Sequence, residues 1–189
     1  MAMKMQGEVT LPADRATVWA KLNDAEVLKL CIPGCQSLEK QSDTSFVAAA
    51  KVKVGPVGAT FKGKVDLLDL DPPNGYRIAG EGQGGIAGFA KGGATVRLED
   101  AEAGQTKLVY DVEANVGGKI AQLGARLIDG VAKKMADQFF SDFAAAVAKQ
   151  QGVEPAAAAG APEQSAQAQQ QEAQGLLQRL IAWFLGLWR

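Results

Sequence analysis

The chain has 189 residues with 20 basic and 21 acidic side chains, so its formal net charge is −1. This length allows one domain of ordinary size and further segments, and the near-neutral charge lacks the basic footprint of nucleic-acid-binding proteins. The sequence has no histidine, which excludes Ser-His-Asp and Cys-His catalysis and most zinc sites, so we predict no catalytic residues and no metal ligands.

The N-terminal segment predicts a strand followed by two short helices. Residues 4–11 alternate loosely between polar and apolar types, which favours an edge strand. Asp14 is a good N-cap for the first helix, and a second helix is predicted over residues 25–30. That helix is expected to stop at residues 32–34 because proline cannot continue it. No apolar run follows Lys4, so we expect no signal peptide.

A series of strand-like segments comes next, each bounded by turn-forming residues. The last segment alternates clearly, with Leu108, Tyr110 and Val112 on the face expected to be buried. Short loops between consecutive strands indicate an antiparallel meander. The predicted strands cover residues 36–40, 44–54, 59–70, 76–82, 95–99 and 107–116.

Residues 80–93 are rich in glycine, and Gly80, Gly82 and Gly85 match the G-x-G-x-x-G spacing of dinucleotide sites. Such a site needs a helix directly after the motif, whereas strand-like sequence follows here. We therefore interpret this segment as a flexible loop around Phe89. A loop of this composition is suited to form the gate of a cavity.

From residue 119 to about residue 150 the apolar period becomes that of a helix. This pattern predicts one helix about 45 Å long, with an apolar face that needs a sheet to cover it. The apolar residues recur at steps of three and four, at Ile120, Leu123, Leu127, Val131, Met135, Phe139, Phe143 and Val147.

Two further features of the domain allow alternative interpretations. Cys31 and Cys35 are the only cysteines; they are read either as reduced thiols in a turn or as a redox disulfide. A stripe of lysines on adjacent predicted strands is read either as a solvated outer face or as a weak contact for anionic lipid or an acidic partner. The stripe comprises Lys51, Lys53, Lys62 and Lys64.

The C-terminal part has two segments of different composition. Residues 151–174 are rich in alanine and glutamine and contain two prolines, which predicts a disordered linker. Residues 175–189 predict an amphipathic helix that either lies in the membrane interface or docks in a protein groove, and we favour the membrane. Its membrane-binding face would comprise Leu176, Leu177, Leu180, Ile181, Trp183, Phe184, Leu187 and Trp188.

The order of elements over residues 1–150 predicts an α+β helix-grip domain, in which a curved antiparallel sheet wraps around a long C-terminal helix. An apolar cavity is expected between the two, because the sheet is longer than one helix can fill. Four motifs then resemble the CoxG family of carbon monoxide dehydrogenase subunits, a branch of the START-like helix-grip superfamily (SRPBCC). They are residues 30–35 (LCIPGC), 52–57 (VKVGPV), 61–65 (FKGKV) and 117–124 (GGKIAQLG).

The resemblance implies an accessory protein that brings an aerobic molybdenum-containing carbon monoxide dehydrogenase, or a related molybdenum hydroxylase, to the cytoplasmic membrane. Combining family, cavity and tail, we hypothesise a non-enzymatic carrier that takes an isoprenoid quinone, such as menaquinone, from the membrane to the dehydrogenase as electron acceptor. The alternatives are an adaptor without ligand and a cyclase-type enzyme of the superfamily. We expect a peripheral location on the inner face of the cytoplasmic membrane. The predicted ligand-binding residues are Leu30, Ile32, Phe61, Phe89, Tyr110, Leu123, Leu127 and Val131.

Overall fold

The chain folds in the order strand, two short helices, six strands and one long helix. This description rests on a computed structural model that describes residues 1–150; the predicted linker and tail helix lie outside those residues. The helices are α1 (Arg15–Leu22), α2 (Ala25–Cys31) and α3 (Ala125–Gln150). The strands are β1 (Ala2–Leu11), β2 (Cys35–Ser42), β3 (Ser45–Val54), β4 (Val57–Asp71), β5 (Gly75–Gln83), β6 (Phe89–Asp100) and β7 (Thr106–Gly117).

All seven strands form one antiparallel sheet in the order β1-β7-β6-β5-β4-β3-β2. Strands β2 to β7 form the predicted meander. Strand β1 pairs with the last strand, from Ala2 opposite Asn115 to Leu11 opposite Thr106. The α+β helix-grip prediction is therefore confirmed, with β1 and β2 at the two edges of the sheet.

Both short helices begin at an aspartate. The Asp14 carboxylate accepts a hydrogen bond of 2.9 Å from the Thr17 amide, and the Asp24 carboxylate accepts one of 3.0 Å from the Glu26 amide. Each carboxylate satisfies an amide that has no partner in the first helical turn. The N-cap prediction for Asp14 is thus confirmed, and α2 stops just before Pro33, as expected.

The glycine-rich stretch is mostly sheet, which corrects the prediction of a flexible loop over residues 80–93. Strand β5 runs to Gln83, a single 3-10 turn covers Gly85–Ala87, and β6 starts at Phe89. Close approach of neighbouring strands accounts for two of the glycines. A Cβ at Gly92 would collide with the carbonyl oxygen of Glu113, and one at Gly93 with that of Ile78.

The long helix starts later than predicted, at Ala125 instead of residue 119. A 3-10 turn (Ala121–Leu123) and Gly124, with φ of +90°, precede it. This break changes the phase of the helix at its start. Ile128, at 6 % exposed, is therefore the buried residue of the first turns, while Leu127 is 40 % exposed.

The buried apolar side chains form two clusters along the concave face of the sheet. The larger cluster joins the sheet to α1, α2 and the C-terminal half of α3, with Leu11, Val18, Phe143 and Val147 fully buried. The smaller cluster closes the other end of the sheet around the start of α3. Its buried members are Val54, Ala87, Val116, Ile120 and Ile128.

Candidate functional site

An apolar cavity of about 440 Å³ lies between the concave face of the sheet and the middle of α3. Helices α1 and α2 and the turn after α2 close its side. The lining residues from the helices and that turn are Leu22, Leu28, Ile32, Pro33, Ala132, Met135, Ala136, Phe139 and Phe140. Those from the sheet are Met5, Leu38, Phe46, Ala48, Val65, Leu67, Tyr76, Ile78, Ala94, Val96, Leu108, Tyr110 and Val112.

Small side chains line the cavity on both sides. Ala132 and Ala136 are one turn apart on α3, and Ala48 and Ala94 lie on the sheet. Larger apolar residues at such positions would fill a domain core to its usual density. We attribute the empty volume to these alanines, together with the curvature of the sheet.

Two tyrosines supply the only side-chain hydroxyl groups among the described residues of the cavity wall, Tyr76 on β5 and Tyr110 on β7. Burial raises the pKa of the Tyr76 phenol. Burial, and then the negative charge of Asp137, raises the pKa of the Tyr110 phenol. Both phenols are therefore protonated near neutral pH. Neither hydroxyl takes part in a hydrogen bond described within residues 1–150, and each phenol has one proton to donate.

The Tyr110 ring is held by one residue on each neighbouring element. Gly7 pairs with Tyr110 across the β1–β7 ladder, and a Cβ at Gly7 would lie 2.5 Å from the Tyr110 hydroxyl oxygen. The ring therefore lies across the bare backbone of Gly7. It also stacks on Phe140 of α3, with ring centroids 5.0 Å apart and planes inclined by 24°. These contacts fix Tyr110 more firmly than burial alone would.

A second space of about 330 Å³ adjoins the cavity on the β3 side, and we call it the vestibule. It lies between the turn after α2, the end of β3 and one face of α3. Pro33 and Met135 line both spaces and therefore lie at the boundary between them. The vestibule is lined by Pro33, Gly34, Lys51, Val52, Lys53, Val131, Lys134, Met135 and Gln138.

The structure brings two of the eight predicted ligand residues, Ile32 and Tyr110, to the cavity wall. Val131 lines the vestibule, and Phe61 and Leu123 pack with Val131 against the smaller cluster. The ligand contacts proposed for these residues stay predictions.

The other three predicted ligand residues are partly or largely exposed. Leu30 on α2 is 84 % exposed, and Leu127 lies beside Gly55 at the β3–β4 turn. Phe89 is on the outer face of β6, where its ring covers Gly117, while Ala94 and Val96 on the opposite face line the cavity. The residues of the predicted gate, 80–93, do not belong to the cavity wall.

Sequence reasoning did not select several prominent wall residues, among them Tyr76, Phe139 and Phe140. A signal for Phe139 was present, because it lies in the apolar stripe of the predicted long helix. Tyr76 and Ile78 alternate along a predicted strand, yet the sequence did not reveal which face is concave.

Within residues 1–150 no cluster of three acidic or cysteine side chains is suited to hold a metal ion. None of the described helices has the length and hydropathy needed to cross a bilayer.

A curved antiparallel sheet that grips a long C-terminal helix around an apolar cavity defines this chain as a START-like helix-grip protein. The family model of the CoxG subunit of carbon monoxide dehydrogenase matches residues 7–148. The chain therefore belongs to the CoxG family, which confirms the resemblance of its four sequence motifs.

Solved structures agree with this assignment. A conserved protein from Geobacillus kaustophilus is 31 % identical, with a TM-score of 0.74 over 78 % of this chain and 97 % of its own. Zhui aromatase/cyclase from Streptomyces sp. R1128 is 16 % identical, with a TM-score of 0.60 over 84 % of this chain and all of its own (100 %). A START superfamily protein from Mycobacterium smegmatis is 12 % identical, with a TM-score of 0.59 over 78 % and 98 %. The last two show similarity of fold alone. A search of curated proteins found no match.

Proposed function

We propose that this protein carries an isoprenoid quinone in its cavity and presents it as electron acceptor to a molybdenum-containing carbon monoxide dehydrogenase. The observation that carries the proposal is the apolar cavity of about 440 Å³, which falls within the roughly 300–1,000 Å³ typical of small-molecule sites. The CoxG family name supports an association with that dehydrogenase.

The chemistry of the cavity wall suits a quinone. An oxidised quinone has two carbonyl acceptors and no donor, and the protonated phenols of Tyr76 and Tyr110 are donors. The ring and its isoprenoid chain match the apolar side chains elsewhere in the wall. Burial of each methylene of that chain is favourable by about 0.8 kcal/mol relative to water. Transfer of the same ligand from a membrane into water therefore has a large free-energy cost.

The predicted tail helix, residues 175–189, would hold the carrier at the membrane. Its proposed anchor includes Trp183 and Phe184 on the apolar face. Residues 151–174 would let the domain move between membrane and enzyme while it stays tethered, since a flexible linker of this length spans about 25–30 Å on average. Replacing Trp183 and Phe184 by glutamate is expected to release the protein from sedimented vesicles.

The first test is mass spectrometry of an organic extract from the full-length protein, purified without detergent. The proposal predicts a near-stoichiometric quinone. It also predicts that purified dehydrogenase with carbon monoxide reduces the bound quinone faster than the same quinone in vesicles.

A matched pair of variants tests whether the ligand occupies this cavity. Ala136 lines the cavity on α3, whereas Ala145 is exposed on the same helix. Ala136→Trp is expected to abolish quinone binding because the indole fills the space, and Ala145→Trp is expected to bind as the wild type does. Equal binding by both variants would exclude the cavity as the site.

The adaptor hypothesis makes the opposite prediction for the same pair. An adaptor without ligand would yield no quinone in the extract, and Ala136→Trp would still bring the dehydrogenase to vesicles. If the purified protein contains no quinone and still recruits the enzyme normally, the carrier hypothesis is rejected in favour of the adaptor hypothesis.

A further inference from the structure

The sheet is incomplete beside the vestibule. Pairing between β2 and β3 starts at Cys35 opposite Ala50, and the Lys51 amide donates a hydrogen bond of 2.8 Å to the Gly34 carbonyl. Beyond that point β3 continues to Val54 and pairs only with β4 within the described part of the chain. The edge of β3 therefore faces α3 across the vestibule, where no described strand closes the wall.

The vestibule and the cavity share two wall residues. Pro33 and Met135 line both spaces and therefore lie at the boundary between them. Methionine is unbranched and changes rotamer easily, so Met135 can move aside without a rearrangement of the backbone. The vestibule is thus a position where a ligand can enter with a small structural change.

The vestibule wall carries three lysines without an ion-pair partner among the described residues. Lys51, Lys53 and Lys134 are exposed and form no ion pair within residues 1–150. By contrast, a carboxylate lies 3.1 Å from Lys40 and 2.8 Å from Lys107. The vestibule therefore concentrates positive charge that the described protein does not neutralise.

An exposed apolar residue lies near the end of the helix that leads into the vestibule wall. Leu30 is 84 % exposed, and it precedes Pro33 by three residues at the end of α2. Uncompensated lysines together with an exposed leucine match an anionic lipid surface, where the cations contact phosphates and the leucine enters the interface. A soluble acidic protein would account for the lysines but leaves the exposure of Leu30 without a role.

We propose that the vestibule is the ligand portal and that Lys51, Lys53 and Lys134 dock it on anionic phospholipid headgroups. This inference rests on the proposed carrier function and adds to it the route and orientation of ligand transfer. The portal would face the bilayer, so that a quinone passes between Pro33 and Met135 without crossing bulk water.

The test compares two triple variants of the full-length protein that have the same net charge. K51Q/K53Q/K134Q removes the portal lysines, and K40Q/K91Q/K107Q removes lysines that have a carboxylate within 4 Å. Each protein is mixed with phosphatidylcholine vesicles that contain menaquinone and either no phosphatidylglycerol or about 30 mol % of it. The readout is the rate at which menaquinone appears in the protein fraction after the vesicles are sedimented.

We expect K51Q/K53Q/K134Q to extract menaquinone from the anionic vesicles about 10- to 100-fold more slowly than the control triple variant, since each lysine near an anionic surface strengthens binding about fivefold. On vesicles without phosphatidylglycerol the two variants should extract at the same rate. About 0.5 M NaCl should slow the wild type to the rate of the portal variant. Equal rates for the two variants on anionic vesicles would overturn the portal assignment.

A loading experiment separates this inference from the carrier function itself. Menaquinone is added from ethanol to each protein without vesicles, and the bound quinone is quantified. Normal loading of the portal variant with slow extraction supports the inference. Normal loading with normal extraction, but slower quinone reduction by the dehydrogenase, would assign the lysines to an acidic protein partner and overturn the lipid assignment. No loading of any variant, including the wild type, would overturn both the carrier function and the portal.

Discussion

Two phenylalanines on α3 offer a direct test of whether the space beneath the sheet is a cavity or packed core. Phe143 is fully buried, at 0 % exposed, stacks on Phe139 with centroids 5.7 Å apart and does not line the cavity. Phe140 lies three residues earlier, is partly buried and lines the cavity. Replacing each by alanine is the same chemical change on the same helix, so the difference between them reports on their surroundings.

The expected costs follow from the contacts that each ring loses. Phe143→Ala removes a ring surrounded on all sides and should lower the free energy of unfolding by about 3–5 kcal/mol. Phe140 already lacks partner atoms on its cavity side. Its replacement removes the stack on Tyr110, the edge contact with Phe139 and part of its burial, about 1–3 kcal/mol in all. For a protein of this size these costs correspond to decreases in Tm of about 6–20 °C and about 2–12 °C.

Thermal and urea unfolding followed by far-UV circular dichroism measure both costs on ligand-free protein. A second series with saturating menaquinone should raise the Tm of Phe143→Ala as it raises that of the wild type. Phe140→Ala should gain less, because it loses a wall of the site. Equal destabilisation of the ligand-free proteins by the two substitutions would refute the cavity reasoning, since it would mean that Phe140 is as tightly packed as Phe143.

Three further predictions concern residues that position the site and the elements around it. Gly7→Ala should lower the free energy of unfolding by about 1–3 kcal/mol, because the new Cβ would lie 2.5 Å from the Tyr110 hydroxyl oxygen. A double-mutant cycle with Tyr110→Ala tests this clash, and the absence of coupling would show that the clash is not the cause. Thr106→Val should lower the free energy of unfolding by about 1–3 kcal/mol and Thr106→Ser by much less, because the buried Thr106 hydroxyl donates a hydrogen bond of 2.7 Å to the Ala13 carbonyl. Equal decreases for the two variants in urea unfolding would contradict this role. Asp14→Ala should cost about 1 kcal/mol at neutral pH, and Asp14→Asn less. Hydrogen bonds from a backbone amide and a hydroxyl of α1 hold the pKa of Asp14 below the ordinary value, so the charge-dependent part of its contribution is complete above about pH 4 and is lost as the pH falls through the lowered pKa. The difference in stability between wild type and Asp14→Ala should therefore shrink in acid, and a difference that does not change with pH would have another origin.

Local sequence patterns were sufficient to predict the class of fold and most of its elements. A period of two residues placed Leu108, Tyr110 and Val112 on one buried face, and a period near 3.6 identified α3. Asp14 and Pro33 marked helix boundaries correctly, since capping and proline geometry are local effects. Four short motifs identified the family because they are contiguous stretches of chain.

Predictions from local patterns were wrong where contact with a neighbouring strand, or a break in the helical backbone, decides the local structure. Glycine composition predicted a loop over residues 80–93, yet Gly92 is needed for close approach to Glu113 on the adjacent strand. The apolar stripe was extended through Gly124, whose positive φ ends the preceding turn and shifts burial from Leu127 to Ile128.

The position of the cavity depends on how distant segments of the chain pack together. The wall joins residues such as Tyr76 and Phe140, which no spacing in the chain relates, and its volume depends on alanines of α3 facing alanines of the sheet. The vestibule brings Lys51 and Lys53 of β3 beside Lys134 of α3, which is about eighty residues away in the chain. Periodicity in the sequence shows which face of an element is apolar. The distance between two apolar faces, and so the size of a cavity between them, depends on sheet curvature and on the packing of every element between them.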